Sequence, residues 1–371
     1  MRRLTVVQLL PALHSGGVER STLEVARALV AAGHRAIVVS AGGRLVQPLL
    51  DSGAEHLTLD IGRKSLLTLR HVASLRRLFT EIDADIVHAR SRLPAWLGWY
   101  ALRGMPAASR PRWLTTMHGL NSPGRYSGIM VSGERVICVS QTVRGYLLAN
   151  YPATDPDKLR VIPRGVDVAQ FPRVARTDRR PRLEVAKHHR QLAGDGPLLL
   201  LPGRGTRLKG HAHAIQLLAS LHQHGESNAV LWMPGAREPG REAYIRELEQ
   251  LAQRLGVGDH VALTEPTSRI AQAYAASDLV LQVSDKPEAF GRTVVEALSV
   301  GRPVLGWNHG GVGELLTQLQ PTGAVAVGDE VALAQTALTL LRHPPALPAR
   351  IPFTLQAMQR ATLDVYGELI G

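Results

Sequence analysis

A single cysteine, Cys138, in 371 residues excludes a disulfide framework and a cysteine-built zinc site. It lies in the apolar run Arg135–Ser140, where a thiol fills a core and is not a nucleophile. Aromatic residues are only 4% of the chain, and they do not interleave with Lys and Arg as in single-stranded RNA readers. No nucleic-acid partner is expected. No apolar run reaches the roughly 18–20 residues that cross a bilayer. The opening MRRLTVVQLLPAL has the basic start of a signal peptide, but Gln8, Pro11 and His14 interrupt it and no small-residue cleavage site follows. It reads as a first buried strand, and a cytoplasmic protein is expected.

What is present is a soluble composition, 45% hydrophobic and 20% charged, in a chain long enough for two cores. Its net charge of +12 is unevenly spread. Residues 1–180 hold 26 Lys/Arg against 13 Asp/Glu, whereas residues 181–371 hold 17 against 18. A basic first half suggests an anionic partner: an acidic membrane surface, a phosphorylated acceptor or, weakest of the three given the aromatics, nucleic acid.

Strand and helix signals alternate through both halves. Thr5–Leu10 is a strand leading to the loop glycines Gly16 and Gly17, and Glu19–Ala32 has helical spacing. Gly-Gly at a strand's carboxyl end suits close approach of backbone to a ligand, although a plain tight turn uses glycine too. Ser65–Phe79 reads as an amphipathic helix with Leu66, Leu69, Leu75 and Phe79 apolar and Arg63, Lys64, Arg76 and Arg77 basic. Its basic face is either solvated or set against acidic lipid. Trp113–Met117 is a strand running into His118-Gly119, and Asn121–Met130 is a loop whose Arg125 and Tyr126 are acceptor candidates. Periodicity fails between Phe171 and Pro197. The second half opens with a strand and a Gly-rich loop, Pro202–Gly210, bearing Arg204 and Lys209, which can neutralise a diphosphate.

The densest signal runs from Lys286 to Glu314, KPEAFGRTVVEALSVGRPVLGWNHGGVGE. Glu288 precedes a helix start and Glu296 lies eight residues on, within that helix. The amides near Arg292 sit where a helix N-terminus binds phosphate.

This frame, P-E-x-F-G…E-A…G-x-P-V…G-G-x-x-E, resembles the E-x7-E element of retaining glycosyltransferases of the GT-B fold, the family 4 or group 1 type, and among them transferases of lipopolysaccharide core and surface glycans. Pro202–Gly210 is similar to that family's G-R-x4-K-G loop. Arg160–Asp167 resembles its I-P-N-G-V-D element, with Arg164 in place of the usual Asn. The resemblance covers nearly the whole chain. It implies an α/β fold of GT-B architecture, two Rossmann-like doubly wound domains facing a cleft. Residues 1–172 would bind acceptor, 173–196 would link, 197–353 would bind a nucleotide diphosphate sugar, and 354–371 would return to the first domain.

The resemblance also implies roles. Arg204 and Lys209 would grip the donor diphosphate. Glu288 and His118 would meet the donor sugar, with Glu288 positioning it or acting as nucleophile. Glu296 would hold the ribose, the backbone at Glu265 the base, and Gly16, Gly17, Phe290, Gly291, Arg292 and Thr293 the rest of the donor. Arg164 joins Arg125 and Tyr126 as an acceptor candidate. No cofactor and no metal are expected. The acceptor would be an anionic lipid-linked molecule or oligosaccharide, reached by peripheral contact of the basic first domain with acidic membrane. A sugar-nucleotide epimerase and a non-catalytic nucleotide-sugar binder are the competing classes.

Overall fold

Strands buried on both faces read as near-continuous apolar runs, as at residues 36–39 (AIVV) and Leu198–Leu200. The computed structural model describes residues 2–14 and 16–371. The chain forms two compact units. One comprises the residues up to Arg164 with Leu355–Gly371, the other Gly165–Thr354.

The first unit is a seven-stranded parallel sheet of β1 (Thr5–Leu9), β2 (Arg35–Ser40), β3 (Glu55–Thr58), β4 (Ile86–Ala89), β5 (Arg112–Met117), β6 (Arg135–Cys138) and β7 (Leu159–Val161), in the order β3-β2-β1-β4-β5-β6-β7. Strand order reverses between β1 and β4, the switch point beside which such sheets bind ligands. The core packs Val6, Val38, Ile86 and Leu114 of the sheet with Leu23 and Leu29 of the helix Gly17–Ala31 and with Met358 and Tyr366 of the helix Leu355–Ile370.

The second unit repeats the plan with six parallel strands, β8 (Leu198–Leu200), β9 (Val230–Pro234), β10 (Val261–Thr264), β11 (Leu279–Gln282), β12 (Val304–Trp307) and β13 (Ala324–Val325), ordered β10-β9-β8-β11-β12-β13. Here the reversal falls between β8 and β11. Each unit is a Rossmann-like doubly wound α/β layer.

The structure redraws two expectations. Residues 173–196 lie within the second unit and are not a free linker. Val174 N–H donates to Val300 O at 3.0 Å, Asp178 N–H to Ala275 O at 2.8 Å, and Leu192 is fully buried. The unit boundary is therefore at Arg164, not at 172. With it, the basic arginines at 173, 176, 179 and 180 move to the second unit. The first unit then holds 23 Lys/Arg against 13 Asp/Glu and the second 20 against 18. The excess of positive charge stays with the first unit.

The second correction concerns 65–79. The segment is a 3-10 turn, Leu66–Arg70, followed by an α-helix, His71–Glu81. Ser65 Oγ accepts from Leu67 N–H at 3.3 Å and Thr68 donates to Arg63 O at 2.7 Å, so Thr68 is the buried member of the turn. At three residues per turn the leucines rotate outward. Leu66, Leu67 and Leu69 are 86%, 72% and 52% exposed, while Leu75 and Phe79 stay in the core. Arg76 Nε donates to Ala101 O at 3.3 Å, tying this helix to Arg92–Arg103.

Candidate active site

In the second unit the loops after β8 and β11 meet at the switch point. The loop after β8 ends at Gly210, whose φ of 74° is left-handed and whose hydrogen faces Val283 O, where a Cβ would stand 1.9 Å from that oxygen. Only glycine allows this approach, and it brings Lys209 across to the β11 loop. Lys209 Nζ lies 2.5 Å from Glu288 Oε1, and Ser284 Oγ–H donates to the same oxygen at 2.9 Å. The pair is partly exposed, the lysine side chain to 34% and the carboxylate to 21%. Arg204 is exposed on the same loop.

Glu288 is also held by its backbone. Gly311 N–H donates to Glu288 O at 2.7 Å, and His309 Nε2 bonds to Ser284 O at 3.0 Å. The His309-Gly310-Gly311 turn is thus the frame of the Glu288 loop. Gly291 caps the helix Arg292–Val300, with Thr293 in its first turn. Glu296, buried in that helix, accepts from Tyr274 O–H at 3.0 Å, and Arg292 Nε stands 3.6 Å from its other oxygen. Phe290 is buried edge-on against Phe353, so only its backbone is available to a ligand. The carbonyl of Glu265 accepts from Gly235 N–H at 3.2 Å, and its side chain is exposed.

The first unit carries a buried polar cluster at the carboxyl ends of β1, β4 and β5. Gln8 sits in mid-β1, fully buried, and its Oε1 accepts from Arg90 at 2.9 Å. Arg90 and Arg164 both donate to Ser21 Oγ, at 2.6 and 2.8 Å. Arg164 also donates to Nδ1 of His118 at 3.2 Å. His88 bonds Tyr366 Oη at 2.8 Å and Thr116 Oγ1 at 2.6 Å. Burial, then the neighbouring arginine charges, pushes both His88 and His118 well below the usual imidazole range. Burial likewise lowers Arg90, to about 10. Two buried guanidiniums are costly unless their donors are used; the Gln8 and Ser21 oxygens take terminal nitrogens of both, while Arg90 Nε is buried without a partner among the described residues.

Of the acceptor candidates, Arg125 and Tyr126 are on the surface, Arg92 lying 5.3 Å over the Tyr126 ring. Arg164 is only 5% exposed and is committed to this cluster. Gly16, with φ 144°, precedes the helix Gly17–Ala31 at the mouth of β1, and Gly17 begins it with open space where a Cβ would stand. The chain's two Asp-x-Asp triplets are engaged in structure: Asp85 accepts from Thr5 N–H at 2.8 Å and pairs with Arg2, and Asp155 accepts from Asp157 N–H at 2.9 Å.

Sequence reasoning missed Ser284, Tyr274, Arg90 and the His88–Tyr366 pair. His88 and Arg90 close a strand just as His118 does, so that signal was available. Nothing in the sequence tied Tyr274 to Glu296, or Tyr366 to a residue 278 positions away.

The model for Glycosyltransferase Family 4 matches residues 15–170, and that for Glycosyl transferases group 1 matches 184–351. A D-inositol 3-phosphate glycosyltransferase of Xylanimonas cellulosilytica is 28% identical over 315 residues, 76% of this chain and 72% of that protein. The crystal structure of a glycosyltransferase from Rickettsia africae superposes with a TM-score of 0.81 at 28% identity, over 100% of this chain and 99% of the other. Anabaena HepE, in complex with UDP and glucose, gives 0.77 at 20% identity, over 99% and 96%.

Proposed function

The chain belongs to the glycosyltransferases of the family 4, group 1 type, and on that premise we propose that it moves a sugar from a nucleotide diphosphate sugar to an acceptor hydroxyl with retention at the anomeric carbon. The observation that carries this reading is the Lys209–Glu288 pair at the switch point of the second unit. A diphosphate entering there draws Lys209 away from Glu288, which frees the carboxylate to accept from the sugar hydroxyls. Arg204 completes the charge match, the helix at Arg292–Thr293 presents its amides to phosphate, and Glu296, aimed by Tyr274, takes the ribose. Charge that develops on the leaving phosphate is met by Arg204 and Lys209 without a metal, and that phosphate helps to deprotonate the acceptor.

The acceptor in this reading is anionic, lipid-linked or an oligosaccharide of the lipopolysaccharide-core type. It is supported by the positive excess of the first unit and by the phosphorylated acceptor in the name of the Xylanimonas relative. The exposed Leu66, Leu67 and Leu69, flanked by Arg63, Lys64 and Arg70, favour contact with acidic membrane. Among the described residues no helix is long and apolar enough to cross a bilayer.

A thermal-shift panel of UDP, GDP and ADP with their sugars tests the donor side, since a bound ligand raises Tm by mass action. Proton NMR of the product's anomeric signal tests retention. A Tm unmoved by every nucleotide at millimolar concentration overturns the reading.

A further inference from the structure

We infer that Arg164 fixes His118 as the tautomer with its proton on Nε2, making His118 an obligate hydrogen-bond donor at the carboxyl end of β5 and no base. The inference rests on the glycosyl-transfer reading only for what His118 donates to, an oxygen of a bound substrate.

A guanidinium has five N–H donors and no acceptor, and it does not lose its proton in proteins. With Arg164 Nη2 3.2 Å from Nδ1, that ring nitrogen must offer its lone pair. A proton there would set two donors face to face. The guanidinium is not free to turn aside. Its other terminal nitrogen donates to Ser21 Oγ at 2.8 Å and lies 3.5 Å from Met358 Sδ. Ser21 is itself gripped by Arg90 at 2.6 Å. The second ring nitrogen, Nε2, is shielded from solvent and has no hydrogen-bond partner. A buried N–H without a partner is costly, and a ligand oxygen would relieve that cost.

An asparagine at position 164, as in the element this segment resembles, could present either its oxygen or its NH2 to the ring. Both tautomers would then be open. Arginine removes the choice. Burial and the charges of Arg164 and Arg90, with His88 behind them, all act against a second proton on His118, consistent with a ring that stays neutral and donates from one nitrogen.

Long-range proton–nitrogen NMR on the full chain labelled with 15N-histidine tests this, the His118 signals being assigned by their loss in His118→Gln. The expected spectrum has a pyrrole-type Nε2 and a pyridine-type Nδ1 from pH 5.5 to 8. Arg164→Asn should move His118 toward mixed tautomers, and Arg164→Lys, again donor-only, should restore the original pattern. With the preferred donor, Arg164→Asn should raise KM about tenfold with kcat within threefold, the mark of a contact made equally in ground and transition states. If Arg164→Asn does not fold, Ser21→Ala, which loosens the guanidinium, is read in the same spectra. A wild-type His118 with its proton on Nδ1, or one titrating near pH 6.5, overturns the inference. So does an unchanged tautomer in both Arg164→Asn and Ser21→Ala. These spectra do not depend on turnover, so an absence of sugar transfer would sink the functional reading and leave the tautomer to be decided separately.

Discussion

Lys209 and Glu288, 79 residues apart, share one short ion pair of 2.5 Å across the two loops of the second unit's switch point. In this structure the cation assigned to the diphosphate and the carboxylate assigned to the sugar neutralise each other, so neither stands as a half-buried charge without a partner. Under the proposed reading, donor binding would be an exchange of partners, with a smaller gain than a free lysine would give.

Removing one preorganised contact of this type costs about 10²–10³ in turnover. Lys209→Ala and Arg204→Ala should each fall in that range when kcat is measured with saturating donor. Lys209→Ala with Glu288→Gln should lose far less than the product of the two single effects, because they form one unit. Single variants within a few-fold of wild type would remove both residues from the site.

Glu296→Gln should weaken the free nucleoside diphosphate as much as the whole donor, as titration calorimetry reads directly. Tyr274→Phe deletes the O–H that aims Glu296 and should weaken the same ligand about three- to tenfold, near 1 kcal/mol for one hydrogen bond. Glu288→Gln should leave nucleoside diphosphate affinity nearly unchanged while lowering turnover. The reverse pattern would exchange the roles of the two glutamates.

Arg63, Lys64, Arg70 and Arg77 are exposed around the outward leucines. Each basic residue near an acidic bilayer contributes on the order of 1 kcal/mol, screened by salt. Reversing these four charges, or changing Leu66, Leu67 and Leu69 to Ser, should abolish co-sedimentation with vesicles containing acidic lipid. Transfer to a short soluble acceptor should persist. Arg76→Ala should lower Tm instead, because Arg76 joins two helices. Wild-type sedimentation by the charge-reversed variant would leave this face merely solvated.

Burial at the start of the helix His211–Gln223 pushes His211 from 6.5 down to about 4. Its folded form resists protonation, so its contribution to stability is complete above about pH 6.5 and disappears as pH falls toward 4. At 1.36 kcal/mol per pKa unit this is about 3 kcal/mol, and His88 and His118, also lowered, act in the same direction. Tm should be level from pH 8 to 6.5 and drop steeply below 6. His211→Gln should flatten part of that drop; an identical slope would show that His211 is not a source of it.

The periodic parts of the fold were legible because a doubly wound layer writes itself locally: apolar strand, loop, amphipathic helix. The Glu288–Glu296 element was legible for the same reason, since its parts lie within one loop and one helix. Leu66–Arg70 was misread because helical spacing cannot foresee that Ser65 and Thr68 tighten the turn. Arg164 reads from sequence as an acceptor candidate, because nothing local shows that Ser21, His118 and Met358 converge on it. Residues 173–196 looked like a linker because their anchors, Val300, Ala275 and Arg302, lie about a hundred residues downstream.

The helix Leu355–Ile370 supplies Tyr366 to His88 and Met358 to the Arg164 site, although the whole second unit is translated between them. During synthesis on the ribosome, the first unit's sheet therefore emerges with its buried cluster unfinished and a helix-sized apolar strip of its core uncovered. It reaches its final packing only after the segment from 355 onward has left the exit tunnel. The last step in building the first unit is thus set by the time needed to make the second.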